Sequence, residues 1–392
     1  MENFLSHGNC YTKVRGSTFI LVVTFFILSE GFVDCRRIET AEHMNSVIKT
    51  IKGDGGDMID CVDIYKQPAL NHPLLKNHTI QLKPPGPYPS GSNETESSDL
   101  DDALLQSWGE CPEGTIPILR TQAFDSSYPK PIPQSNDSDV GFIPVESGHE
   151  YATASILDGQ YYGAHASLNV WSPLSVNAEN SISQIWVGGG RGEARSTVEA
   201  GWKINSADPQ TRFFIFWTGH NYQDGCYNLN CPGFIQVNRK FALGAPIKPV
   251  SIYNGKQVEI FISIYKHQSA GQWWLKVQNE ELGYWPDNIL PSLRGSAEVV
   301  NWGGEIYNSE SGGRHTSTQM GSGHFPSEGY GKASYFRNIQ YLASSGKFVD
   351  AQGLITYVTK PSCYDLIIKN KAPGFGNHFY YGGSGYSVRC PE

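Results

Sequence analysis

The chain has 392 residues, of which 17% are charged and 12% aromatic, and its net charge is −8. It carries no Lys/Arg run or basic stripe able to neutralise a phosphate backbone, which excludes nucleic-acid binding. Beyond residue 35 no apolar stretch approaches the roughly 20 residues of a membrane helix, so no membrane span is expected.

In chain order, residues 1–35 read as a secretory signal. Lys13 and Arg15 precede an apolar run from Phe19 to Leu28 that ends near Cys35, so the mature chain is expected to be secreted and extracellular. Ile38, Ala41, Met44, Val47, Ile48 and Ile51 recur at helical spacing and predict a helix that stops at Gly53. Residues 84–103 are rich in Pro, Gly, Ser, Asp and Glu, and 124–148 turn polar and proline-bearing again, as linkers do. The major boundary falls in the second of these.

From residue 149 to 392 the texture changes. Runs such as ASLNVW, SQIWVGGG, TVEAGWKI, TRFFIFWT, VEIFISIYK, WWLKVQN, VVNWGGEIY and SYFRNIQYL follow one another between glycine-rich turns. Many short strands with turn signals predict an all-β, antiparallel β-sandwich domain, preceded by a small mixed α/β segment over 36–148. Six cysteines lie beyond the signal. They allow many connectivities, but position favours three local pairs: Cys61 with Cys111, Cys226 with Cys231, and Cys363 with Cys390. Their spacings form no paired zinc knuckles. Sequons at Asn77, Asn93 and Asn136 fit the secretory route.

Two stretches carry the chemistry. In STVEAGWKI, period-2 alternation puts Val198, Ala200, Trp202 and Ile204 on one face and Thr197, Glu199, Gly201 and Lys203 on the other. In VVNWGGEIY the less apolar face holds Val299, Asn301, Gly303, Glu305 and Tyr307. Each glutamate has a glycine two residues away on its own face, which leaves room for a ligand backbone. Converging, the two carboxylates would form an acid/base pair; the plainer reading is two solvated glutamates. Other chemistries lack their signatures: no G-x-S-x-G elbow, no H-E-x-x-H, and a lone His315/His324 pair in a loop-like segment. The tryptophans read as core.

These residues sit inside longer motifs: IKTIKGDGGDMIDCVDIYKQPALNHPLLKNHT, SQIWVGGG, TVEAGW, RFFIFWT, GCYNLNCPGF, GQWWLKV, GYWP, WGGEIY and TQMGSGHFPSEGYGKASY. Through them the chain closely resembles the plant neprosin family, from about residue 48 to the C-terminus. The resemblance implies a secreted glutamic peptidase with prolyl endopeptidase activity, made with an N-terminal activation peptide. It implies that residues 36–148 are a prosegment acting as an intramolecular inhibitor and 149–392 a two-sheet catalytic sandwich. It places the catalytic pair on Glu199 and Glu305, with Gln184 and Gln319 in the substrate cleft. Trp186, two residues from Gln184 on the same strand face, joins them as a wall. Substrates are expected to be proline-containing peptides or proteins, cut without metal or cofactor. The alternatives are a non-catalytic binding module for cell-wall carbohydrate, or a glycosidase, which also uses two carboxylates.

Overall fold

The alternating runs pair as antiparallel sheets in the computed structural model, which describes residues 46–53, 56–92, 109–120, 148–268, 270–309 and 314–391. Ile48–Glu392 forms one compact unit; of the other, Met1–Val47, only Ser46 and Val47 are described. The signal, the sequons at Asn93 and Asn136, and most of both linkers lie outside the described residues; Asn77 is exposed.

The strands in chain order are β1 (Val47–Lys52), β2 (Met58–Asp63), β3 (Thr115–Leu119), β4 (His149–Ile156), β5 (Gly163–Asn169), β6 (Asn180–Gly189) and β7 (Ser196–Asn205). Then come β8 (Asp208–Thr218), β9 (Cys226–Tyr227), β10 (Ile235–Gln236), β11 (Glu259–Lys266), β12 (Gln272–Val277) and β13 (Glu280–Pro286). The last are β14 (Val299–Tyr307), β15 (Ser334–Leu342), β16 (Phe348–Asp350), β17 (Ile355–Val358), β18 (Asp365–Ala372) and β19 (Gly376–Gly382). β1, β2 and β3 form a small sheet. A seven-stranded sheet has the order β17-β4-β14-β6-β7-β8-β9. A nine-stranded sheet has the order β10-β13-β12-β11-β5-β15-β19-β18, with β16 on β15.

The two large sheets stack on their apolar faces. Val198, Ala200, Trp202, Ile185, Val187, Val300 and Trp302 of one are buried, as are Ala164, Ala166, Leu168, Ile260, Ile262, Ile264 and Leu275 of the other. Side-chain hydrogen bonds also cross between the sheets: Trp202 Nε1 donates to Asn169 O at 3.0 Å, and Tyr381 OH to Ser183 Oγ at 2.7 Å. Trp202, Trp273, Trp274, Trp285 and Trp302 are fully buried, as their sequence setting suggests. Truncating a tryptophan in such a core costs about 3–5 kcal/mol.

The helix predicted to end at Gly53 is corrected at its C-terminal half, where Val47–Lys52 is strand β1. Four of its six residues, Val47, Ile48, Thr50 and Ile51, are β-branched and lose side-chain freedom in a helix, and β2 offers a partner. Thr50 Oγ1 donates to buried Asp60 at 2.7 Å across that pair.

All three cysteine pairs are disulfides: Cys61–Cys111, Cys226–Cys231 and Cys363–Cys390. The first binds β2 to the segment entering β3. From there, the described residues before β4 lie against the sandwich. Arg212 on β8 donates to Asp57 at 3.0 and 3.2 Å. Gln67, fully buried, exchanges hydrogen bonds with the backbone of Gln236. His78 lies 2.8 Å from Tyr284 OH. Tyr88 stands edge-on to Tyr265 beneath the Lys276 ammonium, 3.9 Å from its ring. Ser90 bridges to Lys347.

Candidate active site

The seven-stranded sheet brings together side chains from distant parts of the chain. Along β7, Glu199 stands opposite Trp186 of β6, and Gly201 opposite Gln184. Along β14, Gly303 stands opposite Gln184, and Glu305 opposite Ile182. β4 then adds Tyr151 opposite Glu305 and His149 opposite Tyr307. Registered residues share a sheet face, so Glu199, Trp186, Gln184, Glu305, His149 and Tyr151 all project from the face turned away from the core. This is the less apolar face of the alternation pattern.

The glutamates are not solvated. Glu199 is 4% exposed and Glu305 9%. A buried carboxylate needs hydrogen-bond donors, and both have them. Glu199 Oε1 accepts from Thr197 Oγ1 at 2.7 Å and Tyr222 OH at 3.1 Å. Glu305 Oε1 lies 2.6 Å from His149 Nδ1 and accepts from Tyr151 OH at 3.5 Å, while its Oε2 accepts from Gln184 Nε2 at 3.1 Å. Register also sets the separation. The glutamates are two strands apart and four residues offset, since Glu199 is level with Asn301. Standard spacings of ~4.8 Å between strands and ~3.3 Å per residue give a Cα separation of about 16 Å. Gln184 lies between them, opposite Gly201 on one side and Gly303 on the other.

Gln184 is 2% exposed, and its Oε1 has no hydrogen-bond partner among the described residues. An unmet buried acceptor is costly, and here it lies between the two carboxylates, where a bound molecule would satisfy it. The flanking glycines do something other than leave ligand room. A Cβ on Gly201 would lie 1.9 Å from Ser183 O, and one on Gly303 2.3 Å from Ala152 O. Gly303 also has φ +153. Both are demanded by the neighbouring backbones. Gly201→Ala must therefore push β7 off β6 beside Gln184. We expect it to cost about 1–3 kcal/mol, a drop of several degrees in Tm on a thermal melt, with a fall in any activity of the site.

Gln319 is placed differently. Its Oε1 accepts from Leu174 N at 2.9 Å and its own N–H donates to Leu174 O, so it ties its loop to the segment before β6. Buried Glu179 holds the same loop by accepting from Thr316 and Thr318 hydroxyls and from Ser309. His315 and His324 each take a carboxylate, Glu150 at 2.9 Å and Glu328 at 2.9 Å. Burial opposes protonation of His315, but the hydrogen bond and charge of Glu150 outweigh it and raise its pKa.

Sequence reading missed His149, Tyr151, Thr197 and Tyr222. Thr197 was findable, two residues from Glu199 on the same face. His149 and Tyr151 also alternate onto one face, but nothing local says that β4 pairs with β14 across some 150 residues. Tyr222, in the left-handed region at φ 62, is delivered by the loop after β8.

Among solved structures, the fold is similar to scytalido-glutamic peptidase bound to a peptide-based transition-state analog. That match has 10% identity and a TM-score of 0.35, and covers 61% of this chain and 98% of that one. SCP-B, a member of the Eqolisin family in complex with a tripeptide, matches at 10% identity and TM-score 0.33, over 59% and 96% of the two chains. The β-porphyranase BpGH16B from the human gut bacterium Bacteroides plebeius matches at 7% identity and TM-score 0.20, over 39% and 54%. A family model described as Neprosin activation peptide matches residues 50–155, and one described as Neprosin matches residues 177–384, which include Gln184, Glu199, Glu305 and Gln319. The second match alone spans more than half of the 392 residues, and the chain belongs to the neprosin family.

Proposed function

We propose that this protein is a secreted glutamic endopeptidase that cuts on the C-terminal side of proline, with Glu199 and Glu305 activating water. The observation that carries the reading is the pair of buried carboxylates on one sheet face, with the unmet Gln184 Oε1 on the strand between them. One glutamate acts as base toward the water and the other, protonated, donates to the carbonyl oxygen. The second hydrogen of Gln184 Nε2, beyond the one given to Glu305, is available to a developing oxyanion; such donors are worth about 3 kcal/mol in other sites. Trp186, opposite Glu199, supplies an aromatic wall against which proline's fixed ring is a recognisable shape.

In this reading residues 1–35 are the signal, 36–148 the activation peptide and 149–392 the catalytic domain, with a glycan on exposed Asn77. Gln319 shapes the cleft through the Leu174 segment. Among the described residues no helix is long and apolar enough to cross a membrane.

The test is to digest proline-containing proteins across pH and sequence the products. New C-termini at proline are expected, with rates that fall as pH rises toward neutral and the needed proton is lost. Chelators, serine reagents and thiol reagents should leave the rate unchanged. Cleavage without proline preference removes the specificity claim, and a maximum near pH 8 removes the glutamic one. Release of sugars with peptides untouched assigns the carboxylates to glycoside hydrolysis.

A further inference from the structure

The outer face of the nine-stranded sheet lies on the far side of the sandwich from the glutamates. Its register puts Tyr265 of β11 opposite Trp274 of β12, and Trp274 opposite Tyr284 of β13. Lys276 and His165 both stand opposite Ser263 on the same face. Residues 81–91, QLKPPGPYPSG, lie across these strands and make neither helix nor strand themselves.

The stretch is held in two ways. Its main chain is hydrogen-bonded at both ends: Gln81 N donates to Tyr284 OH at 3.0 Å, Phe348 N to Ser90 O at 2.8 Å, and Gln340 Nε2 to Gly91 O at 3.1 Å. Between these ends a Tyr-Pro pair fills a socket. The Tyr88 ring is edge-on to Tyr265 at 5.2 Å, tilted against Phe348 at 5.6 Å and capped by Lys276 Nζ at 3.9 Å. Pro89 beside it is buried. Proline's fixed φ leaves little chain entropy to lose on binding, so proline-rich stretches suit aromatic faces. The fill is incomplete. Trp274 Nε1, Ser263 Oγ and both ring nitrogens of His165, all buried, have no hydrogen-bond partner among the described residues. Such groups can donate to carbonyls, which a proline-rich chain carries in excess of N–H groups.

From this arrangement we infer that the face is a docking surface for proline-rich polypeptide substrates bearing an aromatic–proline pair, occupied by residues 81–91 until the activation peptide is removed. The inference rests on the peptidase reading above and deepens it, adding a recognition site remote from the glutamates. Loss of the stretch uncovers Tyr265, Trp274, Tyr284 and Phe348 together. Aromatic side chains bury about 150–250 Å² each, so the patch is larger than soluble proteins ordinarily leave without an occupant. The seated Tyr-Pro pair shows which chemistry fits it. A substrate docked here and cut on the other face passes round the sandwich edge, roughly 15–20 residues of extended chain. Tethering raises its concentration at the glutamates, which lowers KM and leaves kcat little changed.

Binding is tested in the full chain carrying Glu199→Gln, so that nothing is cut. Adding Tyr88→Ala and Pro89→Ala should open the face, and the peptide QLKPPGPYPSG should then bind about tenfold tighter than to the unopened chain. Replacing the peptide's Tyr-Pro by Ala-Ala should weaken it about tenfold. Lys276→Met, which keeps the stem without the charge, should weaken it by a similar factor. Hydrogen exchange should show the peptide protecting β11, β12, β13 and β16. Independently of the opened variant, acid-treated native protein should cut a proline-rich substrate with a KM about tenfold lower when a Tyr-Pro pair stands roughly 20 residues from the cut bond than when Ala-Ala stands there. No binding to the opened chain, protection confined to β6, β7 and β14, or a KM indifferent to the Tyr-Pro pair overturns the inference and leaves the peptidase reading standing. Self-association of the opened chain that the peptide does not reverse also overturns it, since a second copy is then the occupant. Binding on this face by a protein that cleaves no peptide keeps the docking surface and refutes the peptidase reading.

Discussion

Replacing Glu199 or Glu305 by glutamine is expected to lower kcat by about 10³-fold or more, because in the proposed mechanism each change removes one half of the proton transfer and general acid–base groups are commonly worth about 10²–10⁴ each. The fold should survive both changes. At Glu199 the new amide oxygen still accepts from Thr197 and Tyr222, the partners now at 2.7 and 3.1 Å. At Glu305 the amide oxygen still faces His149, and Gln184 can turn over to present its unmet Oε1 to the new NH2. Stability should therefore change by no more than about 1 kcal/mol, as for isosteric polar replacements that keep their hydrogen bonds. The double variant should be scarcely worse than either single one, since residues that act as one unit are not additive. The check is single-turnover hydrolysis at acid pH beside a thermal melt. Near-normal turnover in either variant removes the pair from the mechanism.

The glutamates were legible because strand alternation is a local property: Glu199 and Glu305 fall on the polar row of runs whose apolar rows are the sandwich core. Cysteine pairing was legible from proximity along the chain. Burial was not. Carboxylates are exposed as a rule, and only the register of β4, β14, β6 and β7, with the Tyr222 loop over it, encloses these two. His149 escaped for the same reason, since its value depends on a pairing partner 156 residues away. The N-terminal helix failed where two codes overlap, apolar residues at helical spacing that are also β-branched. Tertiary pairing with β2 decided it.

Acid should loosen the segment before β4 from the sandwich and lead to its removal by the enzyme itself. Histidines lie at this contact. His72 stands edge-on to Trp217, 6.0 Å between centroids, and His78 is bonded to Tyr284 OH. His267 abuts Gly86, where a Cβ would lie 3.2 Å from its ring. Burial lowers the pKa of all three, with Asp224 partly opposing it at His72. His165, packed on Phe261 and on the Phe348 ring that also meets Tyr88, is pushed down to about 3, by burial first and then by Lys276 and Arg337. A histidine whose folded pKa is depressed stabilises the packed state fully above about pH 6.5, the unperturbed value. That stabilisation is lost as pH falls through the lowered value, because the released state binds the extra proton. The Asp57–Arg212 ion pair adds to this while Asp57 is ionised. Pro129, Pro131 and Pro133 lie in the linker beyond these contacts, outside the described residues, and suit an enzyme that cuts after proline. The measurement is the mass of purified full-length protein held at neutral and at acid pH. Loss of the N-terminal part is expected only in acid and only with Glu199 intact. In Glu199→Gln, hydrogen exchange should still show β1–β3 and residues 64–92 loosening below about pH 6.5, and His78→Gln should move that midpoint to lower pH. Full activity of the uncut chain would end the prosegment reading. Loosening that ignores His78 would move the trigger to the carboxylates.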